Sequence, residues 1–158
     1  MTEQVLEGGC ICGAVRYRMR GKPIFANACH CRDCQKSTGS AFAVNVITEA
    51  ENVALLSGTL RTDTAPTPSG RGQVIHRCDR CGTRMWSNYG TPDGVRFVAS
   101  GTLDDPAAIT PDHHIFVRSK LPWIDIPEGM PQDDGFYDVK TTWPAESLAR
   151  WKAVFARG

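Results

Sequence analysis

Short segments in which apolar and polar residues alternate make up most of the chain, and glycine, proline or polar pairs separate them. Residues 14–19, for example, alternate small or apolar side chains with charged ones, as a strand with one face in solvent does. Strand-like runs of the same kind occupy 24–28, 41–47, 53–56, 74–76, 84–88, 95–99 and 115–117. Many short strands separated by turn residues predict a mainly β fold with antiparallel pairing.

Two segments lack this alternation and are predicted to be helical. Residues 31–40 contain no proline and include Thr38 and Gly39, a pair that suits the end of a short helical turn. Near the C terminus, apolar residues recur at helical spacing after Pro144, which suits a first helical turn. These apolar positions are Leu148, Trp151, Val154 and Phe155. We expect this stripe to pack on the protein's own sheet, and a contact between two copies in a homodimer is the alternative.

The composition changes after Pro127, where a polar connector precedes the C-terminal helix. The sequence therefore predicts one main domain over residues 1–131. Residues 132–158 are predicted to form an extension that packs on this domain or lies at a subunit interface. A loop rich in proline and glycine at 64–72 is predicted to be a solvated connection between strands.

Overall composition and charge narrow the classes of function. The 158 residues are 41% hydrophobic and 22% charged, which is ordinary for a globular domain in water. The net charge of +1 provides no overall field for nucleic acid or an anionic membrane, so a small-molecule ligand is favoured. The first residues lack the basic flank and apolar core of a secretion signal, and no run approaches the roughly 18 apolar residues of a membrane span. We therefore expect a cytoplasmic protein whose thiols stay reduced.

Seven cysteines fall into three tight groups and carry the most specific chemistry of the sequence. The groups are Cys10 and Cys12, then Cys29, Cys31 and Cys34, then Cys78 and Cys81. An odd number of cysteines cannot all pair as disulfides, and such close spacing suits a shared metal ion better. A structural zinc ion takes four protein ligands, whereas a reactive one usually keeps three and leaves a position open. The spacing therefore predicts two zinc ions per chain, one structural and one labile.

The two outer pairs, Cys10 and Cys12 with Cys78 and Cys81, are predicted to bind the structural zinc ion. Both pairs adjoin glycines, which let the backbone curl around an ion. Because such a site joins segments that are far apart in the sequence, we expect it to contribute to folding itself.

The middle group, Cys29, Cys31 and Cys34, is predicted to hold the second zinc ion and to be catalytic. It has no obvious fourth ligand, so an open coordination position would accept water, a thiol or a carbonyl oxygen. His30 lies inside the group and would close the site if it were a ligand. Adjacent side chains of an extended segment point to opposite faces, so we expect His30 to point away from the ion.

Polar and cationic residues beside the middle group are candidates for contacts with a carboxylate of a thiol substrate. These candidates are Arg32, Lys36, Ser37 and Gly39. Two cations and the free backbone amides at the start of a short helix would favour an anion there. A solvated polar turn is the alternative explanation.

The three cysteine groups and their neighbours resemble the glutathione-dependent formaldehyde-activating enzyme family. The resemblance rests on GGCICGAVRY at 8–17, CHCRDCQKSTGSAF at 29–42 and CDRCGT at 78–83, and on shorter matches that continue to residue 131. It implies an Mss4-like antiparallel β fold with a structural zinc and a second zinc on the cysteines assigned above. It also implies a carbon–sulfur lyase that joins glutathione and formaldehyde to S-(hydroxymethyl)glutathione. Glutathione or a similar small thiol and a small aldehyde are therefore the expected substrates.

A non-catalytic zinc-binding module for a protein or nucleic-acid partner is the alternative function. Its basic surface would consist of Arg71, Arg77, Arg80 and Arg84, around the second outer pair of cysteines. Such a module would hold its metal tightly and bind its partner in a salt-sensitive way. The predicted open site favours the enzyme, because a purely structural zinc ion takes four protein ligands.

Overall fold

The computed structural model describes residues 4–91 and 93–157, which contain ten strands, three α-helices and four short 3₁₀ helices. The strands are β1 Val5–Gly9, β2 Arg16–Arg20, β3 Phe25–Cys29, β4 Ala43–Glu49, β5 Val53–Ser57, β6 Leu60–Ala65, β7 Gln73–Cys78, β8 Arg84–Asn88, β9 Val95–Ala99 and β10 His113–Ile115. The helices are α1 Arg32–Thr38, α2 Val139–Thr142 and α3 Ala145–Ala156. None of these helices has the length and apolar character needed to span a membrane.

The strands form two sheets. A seven-stranded sheet has the order β10-β3-β4-β9-β8-β7-β6, and a three-stranded sheet has the order β1-β2-β5. Neighbouring strands are antiparallel, except that β10 runs parallel to β3 with His113 beside Asn27. β10 can pair in this direction because a long stretch of chain, rather than a hairpin, connects it to β3. The prediction of a mainly β, antiparallel fold is confirmed, with β10 as the exception.

The large sheet buries apolar side chains on both faces, which explains the alternation along the chain. On β4, Ala43 and Ile47 belong to one core and Val46 belongs to the other, as the two-residue period of a strand requires. The first core lies under the C-terminal helices and includes Phe25, Val95, Trp143 and Val154. The second core adjoins the small sheet and includes Val15, Tyr17, Met19, Trp86 and Val98. The protein therefore has three layers, with the large sheet in the middle.

The structure contains two strands and one helix that the sequence pattern does not predict. β1 ends in Gly8 and Gly9, where a side chain has no room: a Cβ at Gly8 would lie 2.4 Å from the carbonyl oxygen of Thr102. β6 is an edge strand of the large sheet and is mostly polar, so it lacks an apolar stripe. α2 is a single turn of four residues, too short to show a helical period.

The C-terminal helix packs on the first core. Val154 is buried there, Leu148 and Trp151 pack against the core, and Phe155 remains 46% exposed. The predicted helix is thus confirmed, and three positions of its stripe contact the protein's own core. The division of the chain at residue 131 and a contact between two copies stay predictions.

A bidentate ion pair attaches α3 to β4. Arg150 donates hydrogen bonds from Nε and Nη2 to the two carboxylate oxygens of Glu49, at 2.8 and 2.6 Å. Both side chains are mostly buried, with 23% of Arg150 and 12% of Glu49 exposed. Burial raises the pKa of Glu49, but the hydrogen bonds and charge of Arg150, together with hydrogen bonds from the Glu49 amide and Asn52, outweigh burial, so the pKa is lowered from its ordinary value of 4.5.

We predict that Arg150→Gln lowers the free energy of unfolding by about 2 kcal/mol at pH 7, between the values for exposed and fully buried ion pairs. A lowered folded-state pKa stabilises the protein above the carboxyl's ordinary pKa, and this stabilisation is lost as the pH falls through the folded value. The difference between wild type and Arg150→Gln should therefore shrink below about pH 4.5, measured by chemical denaturation across the acid range.

Arg157→Gln is the matched control, because Arg157 makes an exposed ion pair with Glu51 in which 63% and 65% of the two side chains are accessible. It should change stability by less than about 1 kcal/mol at any of these pH values. Equal effects of the two substitutions would contradict the stabilising role assigned to the Arg150 ion pair.

Candidate metal centres and the adjoining groove

Cys10, Cys12, Cys78 and Cys81 come together as one group, which we call the four-cysteine cluster. Their Sγ atoms all lie within 4.8 Å of one another. The first two lie in the turn between β1 and β2, Cys78 ends β7, and Cys81 lies in the turn before β8. Cys10 and Cys78 belong to the core between the two sheets, whereas Cys12 and Cys81 are exposed. The cluster therefore joins the edge of the small sheet to the large sheet.

A glycine closes each of the two turns of the four-cysteine cluster. Gly13 donates a hydrogen bond of 3.0 Å to the carbonyl of Cys10, and Gly82 donates one of 2.9 Å to the carbonyl of Cys78. Both glycines have positive φ, 76° and 77°, in the left-handed region that other residues seldom occupy. Each turn thus folds the chain back so that its two sulfurs face the same point.

The spacing of the sulfurs in the four-cysteine cluster fits a tetrahedral zinc ion. Four ligands at the usual zinc–sulfur distance place neighbouring sulfurs about 3.8 Å apart. The Sγ atoms of Cys10 and Cys12 are 3.4 Å apart, and those of Cys12 and Cys78 are 3.9 Å apart. All seven cysteines of the chain are free thiols, so none is diverted into a disulfide.

Hydrogen bonds favour the thiolate form of Cys10 and Cys81 in this cluster. The Thr83 hydroxyl lies 3.1 Å from the Cys81 sulfur, and this contact together with backbone amides lowers the pKa of Cys81 to about 5. The backbone amide of Val15 donates a hydrogen bond of 3.2 Å to the Cys10 sulfur. Donors that surround the ligand atoms in this way stabilise the charged form that a metal ion requires.

Cys29, Cys31 and Cys34 form a second group, the three-cysteine cluster, whose Sγ atoms also lie within 4.8 Å of one another. Cys29 ends β3, Cys31 is the N-cap of α1, and Cys34 lies in the first turn of that helix. The amide of Cys34 donates a hydrogen bond of 3.3 Å to the Cys31 sulfur. The predicted helical turn is confirmed, but it begins inside the cysteine group rather than after it.

No fourth ligand joins the three-cysteine cluster from the described residues: no other cysteine, histidine, aspartate or glutamate lies within the same 4.8 Å. The His30 ring points elsewhere, with its Nε2 2.9 Å from Nδ1 of His114 and its ring 4.9 Å from that of Phe42. The expected orientation of His30, away from the three sulfurs, agrees with these contacts. Within the described part of the chain, the cluster therefore offers three sulfur ligands and no histidine, carboxylate or further cysteine as a fourth.

Repulsion between the closely spaced sulfurs of the three-cysteine cluster favours the binding of a cation. Hydrogen bonding with Cys31 raises the pKa of the Cys29 thiol, and hydrogen bonding with Cys29 lowers that of Cys31. Three sulfurs held this close cannot all ionise without a compensating positive charge, because like charges repel at short distance. Cys29 and Cys34 are buried and Cys31 is half-buried, so a metal ion here would be more enclosed than one at the four-cysteine cluster.

The four predicted carboxylate contacts occupy different surroundings on α1. Arg32 donates a hydrogen bond to the side chain of Gln35, and Lys36 is exposed. Ser37 lines a cavity described below, and its Oγ is buried without a hydrogen-bond partner. Gly39 caps the helix at φ 64° and donates to the carbonyl of Gln35. Their role in binding a substrate stays a prediction.

A groove between α1 and the large sheet was not predicted from the sequence. It consists of two adjoining cavities of about 260 and 380 Å³ that share Thr38, Arg84 and Ala99. The smaller cavity includes Ala43, which pairs with Cys29 across the sheet, and the larger one includes Cys81. The groove therefore extends from beside the three-cysteine cluster to the four-cysteine cluster.

Arg84 is not part of a basic surface, contrary to the alternative considered from the sequence. Only 8% of the residue is exposed, because it begins β8, an interior strand of the large sheet, and lines the groove. Arg77 is paired with Asp63 at 3.1 Å. The predicted basic patch is thereby reduced to Arg71 and Arg80, both of which are exposed.

Two sequence comparisons agree with these observations. The family model of the glutathione-dependent formaldehyde-activating enzyme matches residues 5–119. A protein of Halomonas elongata, which carries the provisional name glutathione-dependent formaldehyde-activating enzyme, is 31% identical over 160 residues, covering 94% of this chain and 95% of its own length. A crystal structure of a Rhodobacter sphaeroides protein is 16% identical and has a TM-score of 0.48, covering 66% of this chain and 91% of that one.

The chain belongs to the glutathione-dependent formaldehyde-activating enzyme family. The family match includes both clusters, and the sequence-based resemblance to this family is confirmed. The cysteine clusters are suited to hold metal ions, as the grouping of their sulfurs shows.

The two clusters predict different outcomes for matched cysteine variants. Cys10→Ser should misfold or become insoluble, because structural zinc sites supply on the order of 10 kcal/mol of folding free energy. Cys31→Ser should stay folded and bind one zinc ion fewer per chain. Metal analysis and circular dichroism of the two purified variants provide the test. Equal loss of structure in both variants would show that the two clusters are both structural.

Proposed function

We propose that this protein is a zinc-dependent carbon–sulfur lyase that joins a small thiol, such as glutathione, to formaldehyde or a similar small aldehyde, and also catalyses the reverse reaction. In this proposal Cys29, Cys31 and Cys34 hold the reactive zinc ion, and the four-cysteine cluster holds a structural one. Family membership supports the reaction class, and the provisional name of the Halomonas relative supports the two substrates.

One observation carries the proposal: three cysteine sulfurs converge while no cysteine, histidine, aspartate or glutamate of the described residues fills a fourth position. A closed structural site would show four such ligands, as the other cluster does. When bound at three protein ligands, a zinc ion supplies Lewis acidity at its open position, which favours a thiolate or polarises a carbonyl.

The bond changes of the reaction are simple and need no redox partner. The sulfur lone pair of the thiol forms a bond to the carbonyl carbon, the π pair of the carbonyl moves onto oxygen, and the thiol proton ends on that oxygen. The reverse reaction breaks the same carbon–sulfur bond. Because thiolate adds readily to an aldehyde, the protein's task is to supply the thiolate and to orient it.

Residues around the three-cysteine cluster fix the positions of its sulfurs. Gln35 donates hydrogen bonds from Nε2 to the carbonyls of His30 and Ser119, at 2.8 and 2.9 Å. The Thr38 hydroxyl donates one of 2.8 Å to the carbonyl of Cys34. These contacts hold the turn from β3 into α1, so that little reorganisation is needed when a ligand binds.

The proposal also concerns location and assembly. Free thiols and glutathione persist in a reducing compartment, so we place the protein in the cytoplasm. The exposed Phe155 at the end of α3 is a candidate contact for a homodimer.

Exchange spectroscopy tests the proposed reaction. With ¹³C-labelled formaldehyde and glutathione at equilibrium, magnetisation exchange between free aldehyde and adduct should be faster with the wild-type protein than without it. Cys31→Ser should lower the protein-dependent exchange rate by at least about 100-fold, because removing a ligand costs more than disturbing its surroundings.

Metal content and thermal unfolding of the same Cys31→Ser preparation are the controls for loss of fold. An unchanged exchange rate in folded Cys31→Ser would refute the catalytic role of the cluster. Absence of any wild-type acceleration, together with metal that glutathione does not displace, would favour a non-catalytic module instead.

A further inference from the structure

Arg84 is a buried cation that forms no ion pair with a carboxylate of the described residues, although its charge acts to lower the pKa of Cys34 in the three-cysteine cluster and partly offsets the rise in that pKa. It is 8% exposed, and no described carboxylate lies within ion-pair distance of its guanidinium. Its hydrogen-bond acceptors are all neutral: Ser87 Oγ at 2.9 Å from Nε, and Asn45 Oδ1 at 2.7 Å and the Tyr89 hydroxyl at 3.3 Å from Nη2. Burying a charge without a counter-charge is costly, so a cation held this way points to an anion that binds there.

The guanidinium retains donors for such an anion. Three of the five N–H groups of Arg84 are accounted for by Ser87, Asn45 and Tyr89, and no described residue accepts a hydrogen bond from Nη1. The Nη1 atom is not among the polar atoms that are fully buried and unpartnered. It is therefore reachable from the groove that Arg84 lines.

The groove contains two cations and has room for a small ligand. Its lining includes Arg84 and Arg77 and no aspartate or glutamate from the described residues. Arg77 is paired with Asp63, which leaves Arg84 as the cation of the lining that has no carboxylate partner among the described residues. Ser37 and Thr38 add hydroxyl groups to the same lining. A carboxylate is the common small anion that a planar guanidinium and hydroxyls bind well.

The groove also places an anion close to the three-cysteine cluster. Thr38, shared by both cavities, is hydrogen-bonded to the carbonyl of Cys34, and Ala43 pairs with Cys29. Tyr89, which accepts a hydrogen bond from Arg84, lies near enough to the cluster that, besides burial, the Cys34 and Cys29 sulfurs raise its pKa. A ligand held by Arg84 would thus be separated from the sulfurs of Cys29 and Cys34 by about the width of the Tyr89 side chain.

We propose that Arg84 binds a carboxylate of the thiol substrate through its free Nη1 donors, and so restricts the substrates to thiols that carry a carboxylate. This inference rests on the proposed function and names the substrate class of that site. Arg84 thereby joins the carboxylate contacts predicted from the sequence, because it is the buried cation of the groove. Those predicted contacts are Arg32, Lys36, Ser37 and Gly39.

Binding of S-methylglutathione to the zinc-loaded protein tests the proposal without turnover, since this probe keeps both carboxylates and has no free thiol. Titration calorimetry should give an affinity at least about tenfold higher for S-methylglutathione than for its diethyl ester, the value of a charge-assisted hydrogen bond. Arg84→Gln should weaken binding of the acid at least about tenfold and leave binding of the ester nearly unchanged. Arg80→Gln, an exposed arginine in the turn before β8, is the matched control and should bind as wild type does.

Two results would overturn the proposal. One is equal affinity of the wild-type protein for the acid and the ester, a comparison that does not depend on the folding of any variant. The other is wild-type affinity for the acid in a folded, zinc-loaded Arg84→Gln variant, which would assign Arg84 to balancing the charge of the cluster. Arg84-dependent binding without aldehyde exchange would refute the proposed reaction alone, and exchange without Arg84-dependent binding would refute this inference alone.

Discussion

The convergence of cysteine sulfurs at two places on one sheet is the constraint on which the rest of the structure depends. Thiolates at these distances repel one another, and only a cation makes such groups favourable. The four-cysteine cluster joins the core between the two sheets, whereas the three-cysteine cluster joins the core beneath α3. Metal binding is thereby coupled to both hydrophobic cores, and the large sheet sets the distance between the two sites.

The two clusters differ in ways that fit a structural role for one and a reactive role for the other. The four-cysteine cluster has two turns that are each closed by a glycine, a full set of sulfur ligands and hydrogen-bond donors to its sulfurs. The three-cysteine cluster is built on a strand end and a short helix, lacks a fourth ligand among the described residues and lies beside a groove. A scaffold needs the first arrangement, and a reaction with an outside thiol needs the second.

Much of this arrangement could be predicted from the sequence, because cysteine spacing and two-residue periodicity are local signals. The grouping of Cys10 and Cys12 with Cys78 and Cys81, and the strand pattern of β4, follow from them. β1 and β6 lack these signals, since one ends in glycines that close packing requires and the other is a polar edge strand.

The groove could not be predicted, because it depends on tertiary position rather than on local pattern. In the run from Arg84 to Asn88, the arginine is typical of an exposed strand position, yet it is buried, and its side chain donates hydrogen bonds to Asn45 of β4 and to Tyr89. The one sequence signal for the groove is Arg84 itself, an arginine at the start of a strand run that contains no acidic residue. The parallel pairing of β10 with β3 is non-local in the same way.

The central claim is that one metal ion is fully enclosed by protein ligands and the other has a position for an outside thiol. Cadmium-113 NMR of the metal-substituted protein tests it most directly, because each ion reports its own set of ligands. The account predicts two resonances, of which only one shifts when glutathione is added. A single resonance, or two that both ignore glutathione, would contradict it.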